Sequence, residues 1–385
     1  MTSSDWIARA RALRPLLETS GPEHDATRGL APPVVEALHA GGFFRLLIPR
    51  DLGGAELDLP GFVQVVEAIA EGDGSTAWCL GQNAVSNMTA AYLPRPAAEA
   101  MFAHDPRAVI AWGAGPSGQA IETEGGFRVT GNWSFASGSR HANWLGGLLP
   151  MVAADGTPRQ EVEGGRLIRT FVFPKSACRV TDDWHVAGLR GTGSDSYAIA
   201  DHFVPAAHCF NRAVPSAHPG ALYRMPLIGC YPAAFAGVAL GLARAMLDAF
   251  VEMARTKAPR GAVPMRENVA LHSILGHAAT RLAAARTHLL HALGEITAAL
   301  AEGAALPNGQ DATLRACTTF AIQEAMAVTD VLYHEAGATA IFERNPFERR
   351  FRDLHAVAQQ IQGRRANFEL VGARLLGLPT GPLFI

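Results

Sequence analysis

Three stretches of this chain carry residues whose types and spacing suit chemistry. In Trp133-Ser134-Phe135-Ala136-Ser137-Gly138-Ser139-Arg140-His141, small hydroxyl residues follow two aromatics at a strand end. Backbone N–H groups there can meet the edge of a flat heterocycle. Ser134 and Ser137 can donate to its carbonyls and ring nitrogens. An ordinary hairpin with a polar loop gives the same pattern. In Trp184–Asp195, Gly188, Gly191 and Gly193 surround Arg190 beside Thr192 and Ser194. Such a loop can approach a ligand closely, and two plain turns would look alike. In Asn345–Asp353, a proline-led helix start precedes Arg349, Arg350 and Arg352. Helix starts attract anions, although an exposed ion-pair network is the simpler reading. The motifs GxSxG, GxxxxGK[ST], HExxH and paired CxxC are absent. No GxGxxG leads from a strand into a helix, which disfavours a dinucleotide-binding domain. His288 and His291 stand three apart on a helical stretch, and we expect a surface pair and no metal.

The elements that must position these residues change character twice. Residues 1–105 read as helical, 106–215 as a β block, and 216–385 as four long helices. Strands are expected at Val109–Trp112, Gly126–Thr130, Gly131–Phe135, Thr170–Phe173 and Ser196–Phe203, with turns at Gly125-Gly126 and Gly131-Asn132. Helices are expected over Ala233–Arg255, Glu267–Leu300, Asp311–Gly337 and Asp353–Leu376, the pattern of a bundle. The length of 385 residues suits two or three structural units. The 49% apolar content supplies a large core. The net charge of −2 argues against a nucleic-acid partner. Pro226–Ala243 is apolar but broken by Pro232, Gly237 and Gly241, so a buried helix is expected and no membrane span. The Gly237/Gly241 spacing would let a neighbouring helix approach closely. The five cysteines form no pair pattern. With no signal-like N-terminus, a cytoplasmic location is expected.

Taken in order, the motifs resemble the acyl-CoA dehydrogenase superfamily, closest to its two-component, reduced-flavin-dependent monooxygenase branch. Gly53-Gly54-Ala55-Glu56-Leu57, Glu67–Ala70 and Gly74–Trp78 resemble its N-terminal pattern. Val129–Gly138 resembles the hydroxylase signature, Trp184 with Gly188–Ser194 the superfamily's "W…GMRGTGS", and Asn345-Pro346 with Phe351-Arg352-Asp353 its C-terminal motif. The resemblance implies an α+β fold: an N-terminal helical domain, a central β-barrel-like domain and a C-terminal four-helix bundle. It implies a homotetramer, FAD or FMN held either tightly or as dissociable reduced flavin, and a separate flavin reductase as partner. By match to the motif, Trp133, Ser134, Phe135, Ala136 and Ser137 border the flavin, Ser137 nearest its reactive edge. Arg255 resembles an arginine that reaches the flavin phosphates from a neighbouring subunit.

Two departures decide between activities. Ile361-Gln362-Gly363 stands near the place where one class of these dehydrogenases carries a basic glutamate, and an amide cannot abstract a proton. The hydroxylase branch often carries a histidine where this chain has Gln360, and another where it has Asn87; His355 and His141 are the substitutes at hand. The candidate catalytic set is therefore Ser137, His355, Asn87 and Gln360. Trp112 and His141 are expected in a substrate pocket. The favoured function is a monooxygenase component that hydroxylates a small aromatic or polycyclic molecule. The alternatives are oxidation of an acyl thioester's Cα–Cβ bond and a non-catalytic flavin-binding protein.

Overall fold

The computed structural model describes residues 1–162, 164–303 and 310–378, without the side chains of 310 and 311. The parts of the expected C-terminal domain at 304–309 and 379–385 lie outside the described residues. The N-terminal region is helical: α1 Ser3–Ala12, α2 Arg14–Thr27, α3 Pro32–Ala40, α4 Leu59–Ala70, α5 Gly74–Asn87 and α6 Arg95–Ala98. Eight strands follow: β1 Ile110–Pro116, β2 Gln119–Thr123, β3 Gly126–Trp133, β4 Trp144–Val152, β5 Ile168–Pro174, β6 Arg179–Thr181, β7 Ser196–Pro205 and β8 Cys209–Phe210. The chain then returns to helices: α7 Cys230–Thr256, α8 Val269–Ala301, α9 Gln310–Ala336, α10 Phe347–Gln359 and α11 Ala366–Leu375.

The strands form one sheet in the order β6-β7-β3-β2-β4-β5-β8, with β1 beside β4. β1 and β2 each run parallel to β4, and the other pairs are antiparallel. Glu124-Gly125 turns β2 into β3, and Gly125 takes the positive φ that such a turn needs. Two expectations are corrected. Gly131-Asn132 is not a turn but part of β3, where the register to β7 slips between Val129 and Gly131. A bulge there accommodates the extra residue. The last expected helix is two helices, because Gln360 is extended and its side chain accepts from the Gln362 N–H.

Two helices of the N-terminal region pack on the bundle through α7. Asp58 caps α4 by accepting from the Gly61 N–H at 2.8 Å, and Asp73 caps α5 through the Thr76 N–H at 2.7 Å. Nearly every residue of α4 is buried. At the crossing, a Cβ on Gly241 would lie 2.3 Å from the Glu67 carbonyl oxygen, and one on Gly237 would lie 2.9 Å from that of Val63. The glycines therefore set how closely α7 approaches α4. The stretch Leu227–Thr256 is long and apolar enough to cross a membrane, yet 78% of its most apolar window is buried within the fold.

Candidate active site

A cavity of about 1100 Å³ lies between the sheet and the C-terminal helices, with α5 contributing Trp78 and Gln82. One wall is a run of rings. Trp78 stacks on Phe235 at 4.1 Å between centroids and 10° between planes. Phe235 stacks on Tyr231 at 6.0 Å and 20°, and Tyr231 meets Trp112 edge-on at 6.3 Å. Such a wall suits a planar ligand.

Ser137 sits at the Trp78 end, 5% exposed. Its hydroxyl belongs to a chain whose direction follows from its ends. The indole N–H of Trp78 can only donate, and does so to Ser137 Oγ at 2.9 Å. At the other end, Thr192 Oγ1 donates to the Leu189 carbonyl at 2.8 Å. Ser194 Oγ must then donate to Thr192 (2.7 Å), and Ser137 Oγ to Ser194 (2.8 Å). Every hydroxyl proton in this chain is in use.

The loop carrying Leu189 is pinned from several sides. Leu189 adopts φ 52°, uncommon for a branched residue. Asp353 accepts its N–H at 2.6 Å, and Trp184 Nε1 donates to its carbonyl at 3.1 Å. Gly188 backs onto α10 so tightly that a Cβ would fall 2.0 Å from the Arg352 carbonyl oxygen. Asp353 is buried, and its carboxyl is raised to about 7 by burial first and by the nearby charge of Asp73 next.

The sequence-derived candidates divide into two groups. Phe135, Ser137, Trp112, His355 and Gln360 all line the cavity. His355 Nε2 lies 2.8 Å from Asp330 Oδ1, and its ring packs on Phe351. Gln360 Oε1 accepts from the Gln362 N–H, which leaves its buried Nε2 with no partner. Five others are corrected, since Trp133, Ser134, Ala136, Asn87 and His141 do not line the cavity. Inward alternation along β3 carries Val129, Gly131 and Trp133 to the buried face. Trp133 therefore stacks on Tyr197 inside the sheet and does not border the cavity. Ser134 instead bonds Ser196, and Ala136 is fully buried. Asn87 is a structural tie: it donates to the Phe44 carbonyl and accepts from the Ile110 N–H. His141 is held by Asn83 Oδ1 at 2.9 Å, and burial lowers its imidazole to about 3, a neutral core ring. Arg255 lies on the exposed face of α7, paired with Glu252 and remote from its own chain's cavity.

The residues the sequence reading missed are Gln82, Arg212, Ile228, Tyr231, Phe235 and Arg315. Trp78, Thr192 and Ser194 stood inside the quoted motifs and were given no role at the site. No Asp or Glu is among the described lining residues, whereas Arg212, Arg315, Arg352 and Arg364 are. The described lining is thus apolar and rich in arginine, and it offers no carboxylate to act as a base.

Comparison with known proteins agrees. The acyl-CoA dehydrogenase N-terminal domain family matches residues 11–95, and the acyl-CoA dehydrogenase C-terminal domain family matches 233–363. The chain is 30% identical over 372 residues to the flavin-dependent monooxygenase oxygenase subunit HsaA of Mycobacterium tuberculosis, covering 93% of this chain and 92% of that protein. It is 27% identical to the oxygenase component of an FADH(2)-dependent resorcinol hydroxylase of Rhizobium, covering 96% and 92%. It superposes on XiaF from Streptomyces, solved with FADH2 and glycerol, with a TM-score of 0.91 at 26% identity, over 99% of this chain and 97% of that one. The chain belongs to the acyl-CoA dehydrogenase family, among its flavin-dependent monooxygenase oxygenase components.

Proposed function

We propose that this protein binds reduced FAD or FMN delivered by a separate reductase and hydroxylates an aromatic or polycyclic molecule with O₂. The observation that carries the reading is a large cavity walled by stacked rings and arginines, with no carboxylate among its described lining residues. A dehydrogenation at Cα–Cβ needs a base that these residues do not supply. A flavin fits the site: the orphaned Gln360 amide offers a donor, the ring wall offers a flat face, and the guanidinium groups of Arg315, Arg352 and Arg364 suit phosphate. When bound, reduced flavin supplies two electrons, so that one oxygen atom of O₂ enters the substrate and the other leaves as water.

The chain's own residues bind, orient and exclude water. The apolar wall keeps bulk water from the reacting atoms. Ser137 turns its proton from Ser194 towards an acceptor on the ligand, while Trp78 holds its oxygen in place. His355, the one histidine among the described lining residues, is oriented by Asp330 and serves to move a proton. Arg255 reaches a neighbouring copy in a homotetramer. The location is a reducing cytoplasm, in keeping with five unpaired cysteines.

The test is turnover of an aromatic panel with reduced flavin under ¹⁸O₂. One labelled oxygen atom in the product supports the reading. Bleaching of a bound flavin by an acyl thioester, without label, overturns it. Replacing Ser137 by alanine strands the Trp78 N–H and removes a donor, so flavin binding should weaken by about 0.5–1.5 kcal/mol. An unchanged Kd for reduced flavin would remove Ser137 from the site.

A further inference from the structure

We propose that Arg212 anchors the carboxylate of an aromatic acid, which makes an arene carboxylic acid the substrate class; this rests on the monooxygenase reading above. Arg212 follows β8 on the segment leading to α7, where its carbonyl accepts from the Ile228 N–H. Arg212 is half-buried and lines the cavity. It makes no ion pair with any described residue, and its Nε is buried with no hydrogen-bond partner. The stabilising contact it does make is with the Trp112 ring, 5.1 Å from Cζ to centroid. The nearby titratable groups are the Tyr231 and Tyr197 hydroxyls, both neutral and held up by burial.

An arginine cannot shed its proton, so a desolvated and unpaired guanidinium is costly until an anion meets it. Its planar fork matches a carboxylate, two N–H groups to two oxygens. Position argues against a role for the flavin phosphates. Along the wall the order is Arg212, Trp112, Tyr231, Phe235, Trp78, Ser137. The other lining arginines lie elsewhere: Arg352 beside the Ala187 loop, and Arg315 and Arg364 beside the break after α10. A planar acid held at Arg212 would lay its ring along Tyr231 and Phe235. The ring carbon farthest from the carboxylate would then face the Ser137 end.

The test is equilibrium binding to the full chain, read by tryptophan fluorescence and calorimetry. The probes are 2-naphthoate, 2-naphthamide and 2-naphthol, with reduced FAD and FMN measured separately. Naphthoate should bind the parent at least about tenfold more tightly than the amide or the naphthol. Arg212→Met should erase that preference and keep the parent's affinity for reduced flavin. Arg212→Lys should retain part of the preference. Equal binding of the three probes by the parent overturns the proposal, as does naphthol matching naphthoate. Loss of flavin affinity in Arg212→Met, with the naphthoate preference intact, would assign the guanidinium to the cofactor instead. Failure of the parent to bind reduced flavin would count against the monooxygenase reading alone, since the naphthoate measurement needs no flavin.

Discussion

Arg140→Ala should destabilise the protein by about 3–5 kcal/mol in denaturant unfolding. Arg140 stands on the loop after β3 and ties three separate segments together. Its Nε and Nη2 fork Asp195 at 2.8 and 3.1 Å, Nη2 also reaches Asp182 at 2.6 Å, and Nη1 donates to the Thr27 carbonyl at 2.8 Å. Arg140 itself is partly exposed, and an exposed pair would contribute little. The size of the effect comes from Asp195, whose side chain is 3% exposed and would be left as a buried unpaired anion. The same loop carries Phe135 and Ser137, so flavin affinity should fall along with stability. The double variant Arg140→Ala/Asp195→Asn should recover at least about 1 kcal/mol, because the stranded charge is gone. A loss below about 1 kcal/mol for the single variant would mean that solvent reaches Asp195.

The sequence revealed the site unevenly, and the reason is physical. Ser137 and the Gly188–Ser194 loop were legible only through the resemblance to the family's motifs, because a polar hairpin loop or two plain turns would show the same residues. Trp133 was misplaced, although the evidence was local: with period two along β3, Val129 and Trp133 must share a face, and Val129 belongs inside. The ring wall was not legible. Trp78 comes from α5, Phe235 and Tyr231 from α7, and Trp112 from β1, so only the folded chain brings them together. Arg212 gave no signal at all, being one arginine in a short loop whose meaning lies in the absence of a partner. Domain order was read from composition, because a 27-residue Ala-rich helix and an eight-residue strand differ in every window. Helix ends were harder. The break at Gln360 depends on a side chain bonding its own backbone two residues on, with no proline to mark it.

Asp353→Asn should flatten the fall in stability that the parent shows between about pH 4 and pH 7. The unfolded carboxyl titrates near 4, whereas in the fold burial and the charge of Asp73 raise it to about 7. Between those values the native state holds a proton that the unfolded chain has released. Stability from this group is thus complete below about pH 4 and is lost as pH rises through 7. The span is on the order of 2–4 kcal/mol. Asparagine does not titrate, and its side-chain oxygen can still accept from the Leu189 N–H. Relative to the parent, it should therefore gain stability steadily from pH 4 to pH 8. Asp353→Ala removes the acceptor as well. At pH 8 it should sit about 1–3 kcal/mol below Asp353→Asn, the cost of stranding a buried N–H on a residue at φ 52°. Because Leu189 also accepts from Thr192 and Trp184, its movement would slacken the chain that runs through Ser137 and weaken flavin binding in the alanine variant only. Thermal melts at several pH values and flavin titrations of both variants supply the check. Parallel pH curves for parent and Asp353→Asn would mean that folding does not raise the Asp353 carboxyl, and that it is ionised across this range.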